Sequence, residues 1–181
     1  MTCIAAWIEK GVVTMGGDSA GVAGYSITTR ADEKVFQVGP YLIGFTTSFR
    51  MGDVLRYQFD PPEFEGGGDL RGFMVREFIP KVRAVFWDAG WTENEKGREH
   101  GGTFLVGAYG KLFEVDSDFQ VGVPRDRFSA VGCGQDIAKG AFFAGQAMKA
   151  LTPEKRVLLA LAAAERFSAG VRRPFVVRTL G

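Results

Sequence analysis

Short apolar runs with a period of two residues dominate the first third of the chain, and longer amphipathic runs follow. Cys3 to Ile8 and Val12 to Gly16 flank the glycine-containing turn Glu9-Lys10-Gly11 and predict a hairpin. A second hairpin is predicted where Lys34 to Val38 alternates, turns at Gly39-Pro40 and returns as Leu42 to Thr46. The segment between them, Asp18 to Thr29, is rich in glycine and hydroxyl residues and reads as a loop. Helices are predicted near Phe49 to Phe59 and from Leu70 to Ala89. In the second, Val75, Phe78, Ile79, Val82, Val85 and Phe86 follow helical spacing. Pro80 should kink or break it, because proline lacks the donor that an interior turn needs.

Thr103 to Tyr109 and Lys111 to Asp116 predict a further hairpin around Gly110, and Phe128 to Cys133 another strand. Gln135 to Leu151 reads as a helix. Thr152-Pro153-Glu154 supplies an N-cap and a first-turn proline for a last helix, Glu154 to Phe167, and Pro174 to Leu180 reads as a terminal strand. Hairpins, two helices, hairpin and strand, two helices and a strand suggest an α+β layered fold, and no composition shift divides residues 1–181 into more than one domain.

Composition narrows the function. Lys and Arg number 22 against 21 Asp and Glu, a formal charge of +1, which gives no electrostatic demand for nucleic acid or anionic lipid. At 46% hydrophobic residues the chain can bury a sizeable core. The two cysteines, Cys3 and Cys133, lie far apart, and the apolar run at the start is too short for a signal peptide; both features lead to the expectation of a cytoplasmic protein outside the membrane. His100 sits in the polar stretch after Thr92 and reads as a solvated loop residue. Histidine-based triads, zinc spacings and phosphate-binding glycine loops are lacking, so no metal or cofactor is expected.

If the chain is an enzyme, its base must therefore come from elsewhere. Pairing about the Glu9–Gly11 turn brings Gly17 to Ser19 beside Thr2, and pairing about Gly39-Pro40 sets Lys34 beside Phe45, with the Thr46-Thr47 backbone near the lysine. These pairings leave open whether the hairpins share a sheet. Removal of Met1 would expose Thr2 as a hydroxyl nucleophile carrying an α-amine of ordinary pKa about 7.7–8.0, able to act as its own base. Lys34 would disfavour protonation of that amine and polarise the hydroxyl, while Asp18 would hold the lysine charged. Taken singly, Thr2 reads as a strand residue, Asp18 as a turn residue and Lys34 as a solvated charge; the three together are what suggest chemistry. Cys3 points to the opposite strand face from Thr2 and is the poorer nucleophile candidate.

The order of Thr2, Gly16-Gly17-Asp18, Lys34, Ile43-Gly44-Phe45-Thr46-Thr47-Ser48 and Val131-Gly132-Cys133-Gly134 closely resembles proteasome β subunits and the bacterial HslV peptidase, and runs through most of the chain. The resemblance implies an N-terminal nucleophile hydrolase fold, a four-layer αββα sandwich of two antiparallel sheets between helical layers. It implies Thr2, Asp18 and Lys34 as catalytic residues, the Thr47 backbone N–H as oxyanion donor, and Cys133 and Gly134 as support. It further implies a peptide or unfolded-protein substrate, a homo-oligomeric ring and an ATP-dependent unfoldase as partner. Three positions depart from the family pattern: Cys133 replaces a serine, Arg166 and Ala169 stand nearest to an expected aspartate and serine, and Val22 falls where Thr or Ser is frequent. Two other readings stand beside the peptidase: a non-catalytic ring-forming homologue, and an amidase or transpeptidase of the same fold.

Overall fold

The computed structural model describes residues 1–95 and 98–181. Strands β1 (Cys3–Glu9) and β2 (Val12–Gly17) form the first predicted hairpin. Lys10 and Gly11 both take positive φ, 51° and 79°, the two-residue turn whose twist matches the strands. The expected loop after Asp18 is instead a small hairpin, β3 (Ala20–Ala23) with β4 (Ser26–Thr29). Its glycines and hydroxyls gave no period-two signal because β4 is exposed along its whole length. Strands β5 (Val35–Val38) and β6 (Tyr41–Phe45) pair in the expected register, Val35 opposite Gly44.

Helix α1 (Phe49–Tyr57) starts at Ser48, whose side chain accepts from the Arg50 N–H. The second predicted helix is resolved into α2 (Leu70–Phe73), a π-helical stretch (Met74–Phe78) and α3 (Ile79–Asp88). The wider turn, in which the Ile79 N–H reaches Met74 O, accommodates Pro80 without breaking the run. The polar stretch expected as a loop contains β7 (Glu93–Glu95) and β8 (Arg98–His100), so His100 ends a short strand; Lys96 and Gly97 of that stretch lie outside the described residues. Strands β9 (Phe104–Ala108) and β10 (Lys111–Val115) turn at Tyr109-Gly110, again with positive φ at both residues. Strand β11 (Val121–Gly122), too short to register as a pattern, precedes β12 (Phe128–Gly132). Helix α4 (Gln135–Gly145) stops earlier than its composition suggested, and α5 (Pro153–Phe167) begins at its Thr152 cap. Strand β13 (Val176–Leu180) closes the chain against β2.

Two antiparallel sheets result, ordered β12-β1-β2-β13 and β11-β10-β9-β6-β5. Strand alternation assigns the layers. Ile4, Ala6, Val13 and Met15 of the first sheet meet Val35, Leu42, Leu105 and Leu112 of the second. Cys3, Ala5 and Trp7 face the other way, against Ala138, Phe142, Val157, Ala160 and Leu161 of α4 and α5. On the far side, Ile43, Phe45, Phe104 and Val106 pack under Met51, Val54, Phe78, Val82 and Phe86. The architecture is the αββα sandwich expected from the sequence. Among the described residues no helix is long and apolar enough to cross a membrane.

Two glycines set the spacing of the layers. A Cβ at Gly44 would lie 2.5 Å from Ile4 Cγ2 and 2.6 Å from Met15 Sδ, so the sheets close up only where this side chain is missing. A Cβ at Gly16 would lie 2.6 Å from Val157 Cγ1 and 3.0 Å from Leu161 Cδ1, which fixes the approach of α5. Gly16→Ala is therefore expected to destabilise the fold by about 1–3 kcal/mol through overpacking, read as a lower midpoint in urea at unchanged slope.

Candidate active site

Three strand ends converge at one edge of the sandwich. Thr2 precedes β1 and shares the parity of Ile4, so it faces the gap between the sheets, whereas Cys3 is fully buried under the helices. Asp18 follows β2. Its Oδ1 accepts from the Cys3 N–H at 3.0 Å, and its Oδ2 from the N–H groups of Ala20 at 2.9 Å and Arg172 at 3.2 Å. Lys34 opens β5 in the other sheet and donates from Nζ to Asp18 Oδ1 and to Thr2 Oγ1, each at 2.9 Å. Both charged side chains are fully enclosed. The structure thus places Thr2, Asp18 and Lys34 side by side, with the lysine bridging the two sheets; hairpin pairing returned Asp18 toward Thr2 but left the position of Lys34 relative to them open.

Burial lowers the Lys34 pKa from the ordinary lysine value, opposed by attraction to the Asp18 carboxylate and its hydrogen bond. The Cys3 thiol is pushed up to about 12, first by burial and then by the Asp18 charge, so it stays protonated near neutrality and is no competing nucleophile.

Thr47 has φ of 60°, the left-handed region that a β-branched residue occupies only at a cost. Its side chain offsets part of that cost. Thr47 Oγ1 accepts from the Thr103 N–H at 3.2 Å and lies 3.3 Å from Thr46 Oγ1. The backbone N–H of Thr47 has no intrachain partner among the described residues, as an anion donor requires. A cleft of about 60 Å³ opens beside it, lined by Met1, Thr2, Val22, Phe45, Thr46, Thr47, Ser48 and Phe49. Met1 is attached to Thr2, and its carbonyl accepts from Thr2 Oγ1 at 2.6 Å.

The segment Gly132-Cys133-Gly134 closes over the other side of Thr2. The Thr2 N–H donates to Cys133 Sγ at 3.3 Å, while Cys133 Sγ and the Gly134 N–H donate to Thr2 O, each at 3.4 Å. A Cβ at Gly132 would stand 2.3 Å from Thr2 O. Of the residues flanking the end of α5, Arg166 and Ala169 are exposed, and it is Ser168 whose Oγ lies 3.5 Å from Cys133 Sγ. Family spacing pointed to its neighbours and missed it, since a lone serine at a helix end carries no signal of its own. Arg172, which supports Asp18 through its backbone, was equally silent in the sequence. Among the described residues no cluster of three or more His, Cys, Asp or Glu could hold a metal ion.

No protein-family model matches the sequence. No curated protein matches it significantly either. Solved structures do match. Thiobacillus denitrificans BPH superposes with a TM-score of 0.83 at 18% identity, covering 99% of this chain and 97% of that one. The same protein in complex with epoxomicin gives 0.81 at 19% identity, covering 99% and 98%. Eukaryotic HslV from Trypanosoma brucei gives 0.71 at 19% identity, covering 99% of both chains. The chain has the fold of HslV. At such low identity the HslV-type fold is what these matches establish, and the near-complete coverage leaves no large segment of this chain outside it.

Proposed function

We propose that this chain is an N-terminal nucleophile hydrolase, a threonine-type peptidase that acts through Thr2 once Met1 has been removed. The observation that carries the reading is the buried Lys34 ammonium, 2.9 Å from both the Thr2 hydroxyl and the Asp18 carboxylate, at the edge of an open cleft. A solvated lysine or an ordinary turn aspartate has no reason to be enclosed in this way. The likeness in fold to HslV, and to a BPH that binds epoxomicin, supports the same reading.

In the proposed reaction Thr2 Oγ attacks a peptide carbonyl carbon and its proton passes to the freed α-amine. The Thr47 N–H receives the developing oxyanion. The tetrahedral species collapses as the α-amine protonates the departing amine, leaving an ester on Thr2. Water, deprotonated by the same amine, then attacks the ester and releases the acid. Lys34 holds its charge against the hydroxyl throughout, favouring the alkoxide character that the attack develops.

Intact mass of protein from its native host should show loss of Met1, and a β-lactone should add its mass to Thr2. Retention of Met1 together with an unlabelled Thr2 would instead mark a non-catalytic, structural homologue. If labelling succeeds, the products formed from a peptide distinguish hydrolysis from transfer to another amine.

The pH profile follows from the same geometry. Activity requires a neutral α-amine, so it rises with pH through a limb below the ordinary α-amine value of about 7.7–8.0, because the nearby Lys34 cation disfavours a second positive charge. It also requires a charged Lys34, so it falls at high pH. Burial brings that fall below the ordinary lysine value of about 10.4. Steady-state kcat/KM against pH should therefore be a bell displaced on both limbs to lower pH than unperturbed groups would give.

We further propose a homo-oligomeric ring that encloses the cleft and receives unfolded protein from an ATP-dependent unfoldase in the cytoplasm. The likeness to HslV supports the assembly, and two cysteines with no disulfide support a reducing compartment. Native mass spectrometry of the Met1-free chain tests the ring.

A further inference from the structure

Thr46 extends the β6–β9 ladder one rung beyond the Phe45–Phe104 pair, its N–H donating to Thr103 O at 3.1 Å. The chain then leaves the sheet at Thr47, where φ is 60°. Glycine takes that conformation freely, and a β-branched residue does not. What the threonine brings in return is a hydroxyl. Thr47 Oγ1 lies against the lead-in to β9 and accepts from the Thr103 N–H at 3.2 Å. Room for it exists because residue 102 has no side chain: a Cβ at Gly102 would stand 3.1 Å from Thr47 Oγ1.

One hydrogen per hydroxyl fixes the direction of every bond in this cluster. Thr46 Oγ1 gives its hydrogen to Thr103 O at 2.7 Å, so the hydrogen across the 3.3 Å contact between the two hydroxyls comes from Thr47. The bonds then run one way, from the Thr103 N–H through Thr47 and Thr46 to the Thr103 carbonyl, and each strengthens the next. The peptide that joins Thr46 to Thr47, and carries the Thr47 N–H, is held from both of its ends. With its only hydrogen given to Thr46, the Thr47 hydroxyl has none for the cleft, and the backbone N–H is the donor that faces no intrachain partner among the described residues. The anchor is itself fixed: next to Gly102, the Gly101 N–H donates to Ser117 O at 2.9 Å and the Gly101 carbonyl accepts from Trp91 Nε1. Resting on the threonine-nucleophile reading, we infer that the Thr46 and Thr47 hydroxyls are positioning groups that clamp the Thr46–Thr47 peptide onto Thr103 and so aim the Thr47 N–H at the developing oxyanion.

Thr47→Val keeps the branched shape and its backbone cost but removes both bonds of the Thr47 hydroxyl. The saturating rate of Thr2 acylation should fall by about tenfold. The half-saturating concentration and both pH limbs should stay in place, because neither the α-amine nor Lys34 is touched. Thr47→Ser keeps the hydroxyl and should hold the rate within about twofold. Thr47→Gly separates the clamp from mere relief of strain. Glycine adopts the turn at no cost, so a hydroxyl that only offset strain would not be missed, whereas a lost clamp slows acylation as Thr47→Val does. Thr46→Val breaks the chain of bonds at its other link and should slow acylation by about fivefold.

The test is the rate of β-lactone addition to Thr2 against concentration and pH, read by mass spectrometry on the full-length, Met1-free chain, with thermal melts to show that each variant folds. Slower saturating addition in Thr47→Val, Thr47→Gly and Thr46→Val, with unmoved pH limbs and near-full rate in Thr47→Ser, supports the clamp. Addition at the unsubstituted rate in Thr47→Gly overturns it and leaves the nucleophile reading standing. So does a moved acid limb, which would assign the loss to the amine. Should Thr47→Val fail to fold, Thr47→Gly and Thr46→Val decide. If Thr2 is not labelled even in the unsubstituted chain, clamp and nucleophile fall together.

Discussion

Thr2→Ala is expected to lower peptide hydrolysis by at least about 10³-fold while leaving the fold intact. The hydroxyl it removes has two partners, Lys34 Nζ and the carbonyl of Met1; the buried lysine keeps its bond to Asp18, and the carbonyl departs with Met1. Alanine at the second position also permits removal of Met1, so loss of activity cannot be assigned to failed processing if intact mass shows the methionine gone. Thr2→Ser keeps an attacking oxygen at the same place and should retain measurable turnover. Hydrolysis by Thr2→Ala at the rate of the unsubstituted protein would end the enzymatic reading and leave only the architecture.

Asp18→Asn should be the most damaging change to the fold among the site residues. Lys34 is fully enclosed, and removing the Asp18 carboxylate, its one ion-pair partner among the described residues, leaves a buried cation without a counter-charge, a loss of about 3–5 kcal/mol. The amide also cannot offer acceptors on both of its atoms to Cys3, Ala20 and Arg172, so at least one of those backbone donors loses its partner. The effect has a pH signature. Lys34 already binds its proton less tightly in the folded chain than a free lysine does, and without Asp18 less tightly still. Wherever the unfolded chain carries more protons than the folded one, stability rises with pH. The deficit of Asp18→Asn should therefore shrink from neutral pH toward the ordinary lysine value of about 10.4. Urea titrations at two pH values measure it, and a deficit that grows with pH would contradict an enclosed, charged Lys34.

Much of this was legible in the sequence because the decisive elements are local. Hairpin turns with glycine at their second position fixed the pairing of β1 with β2 and of β9 with β10, and pairing alone carried Asp18 back to Thr2. Thr152 and Pro153 marked the start of α5 by capping chemistry. What escaped was of two kinds. The β3–β4 hairpin and the two-residue β11 are too short or too exposed to impose a hydrophobic period. Ser168 and Arg172 join the site through a tertiary contact and a backbone N–H, and neither leaves a mark on side-chain pattern. The placement of Lys34 in the opposite sheet from Thr2 was also beyond reach, since no local rule says which strands share a sheet.

Under the proposed function, that placement links catalysis to mechanical tightness. The nucleophile and the acid belong to one sheet and the cation to the other, so sliding one sheet an ångström across its neighbour would part the ammonium from the hydroxyl with every strand still paired. Mild denaturant or pressure should then silence the proposed peptidase activity ahead of any change in circular dichroism, and residual activity would serve as a gauge of how firmly the two halves of the sandwich grip.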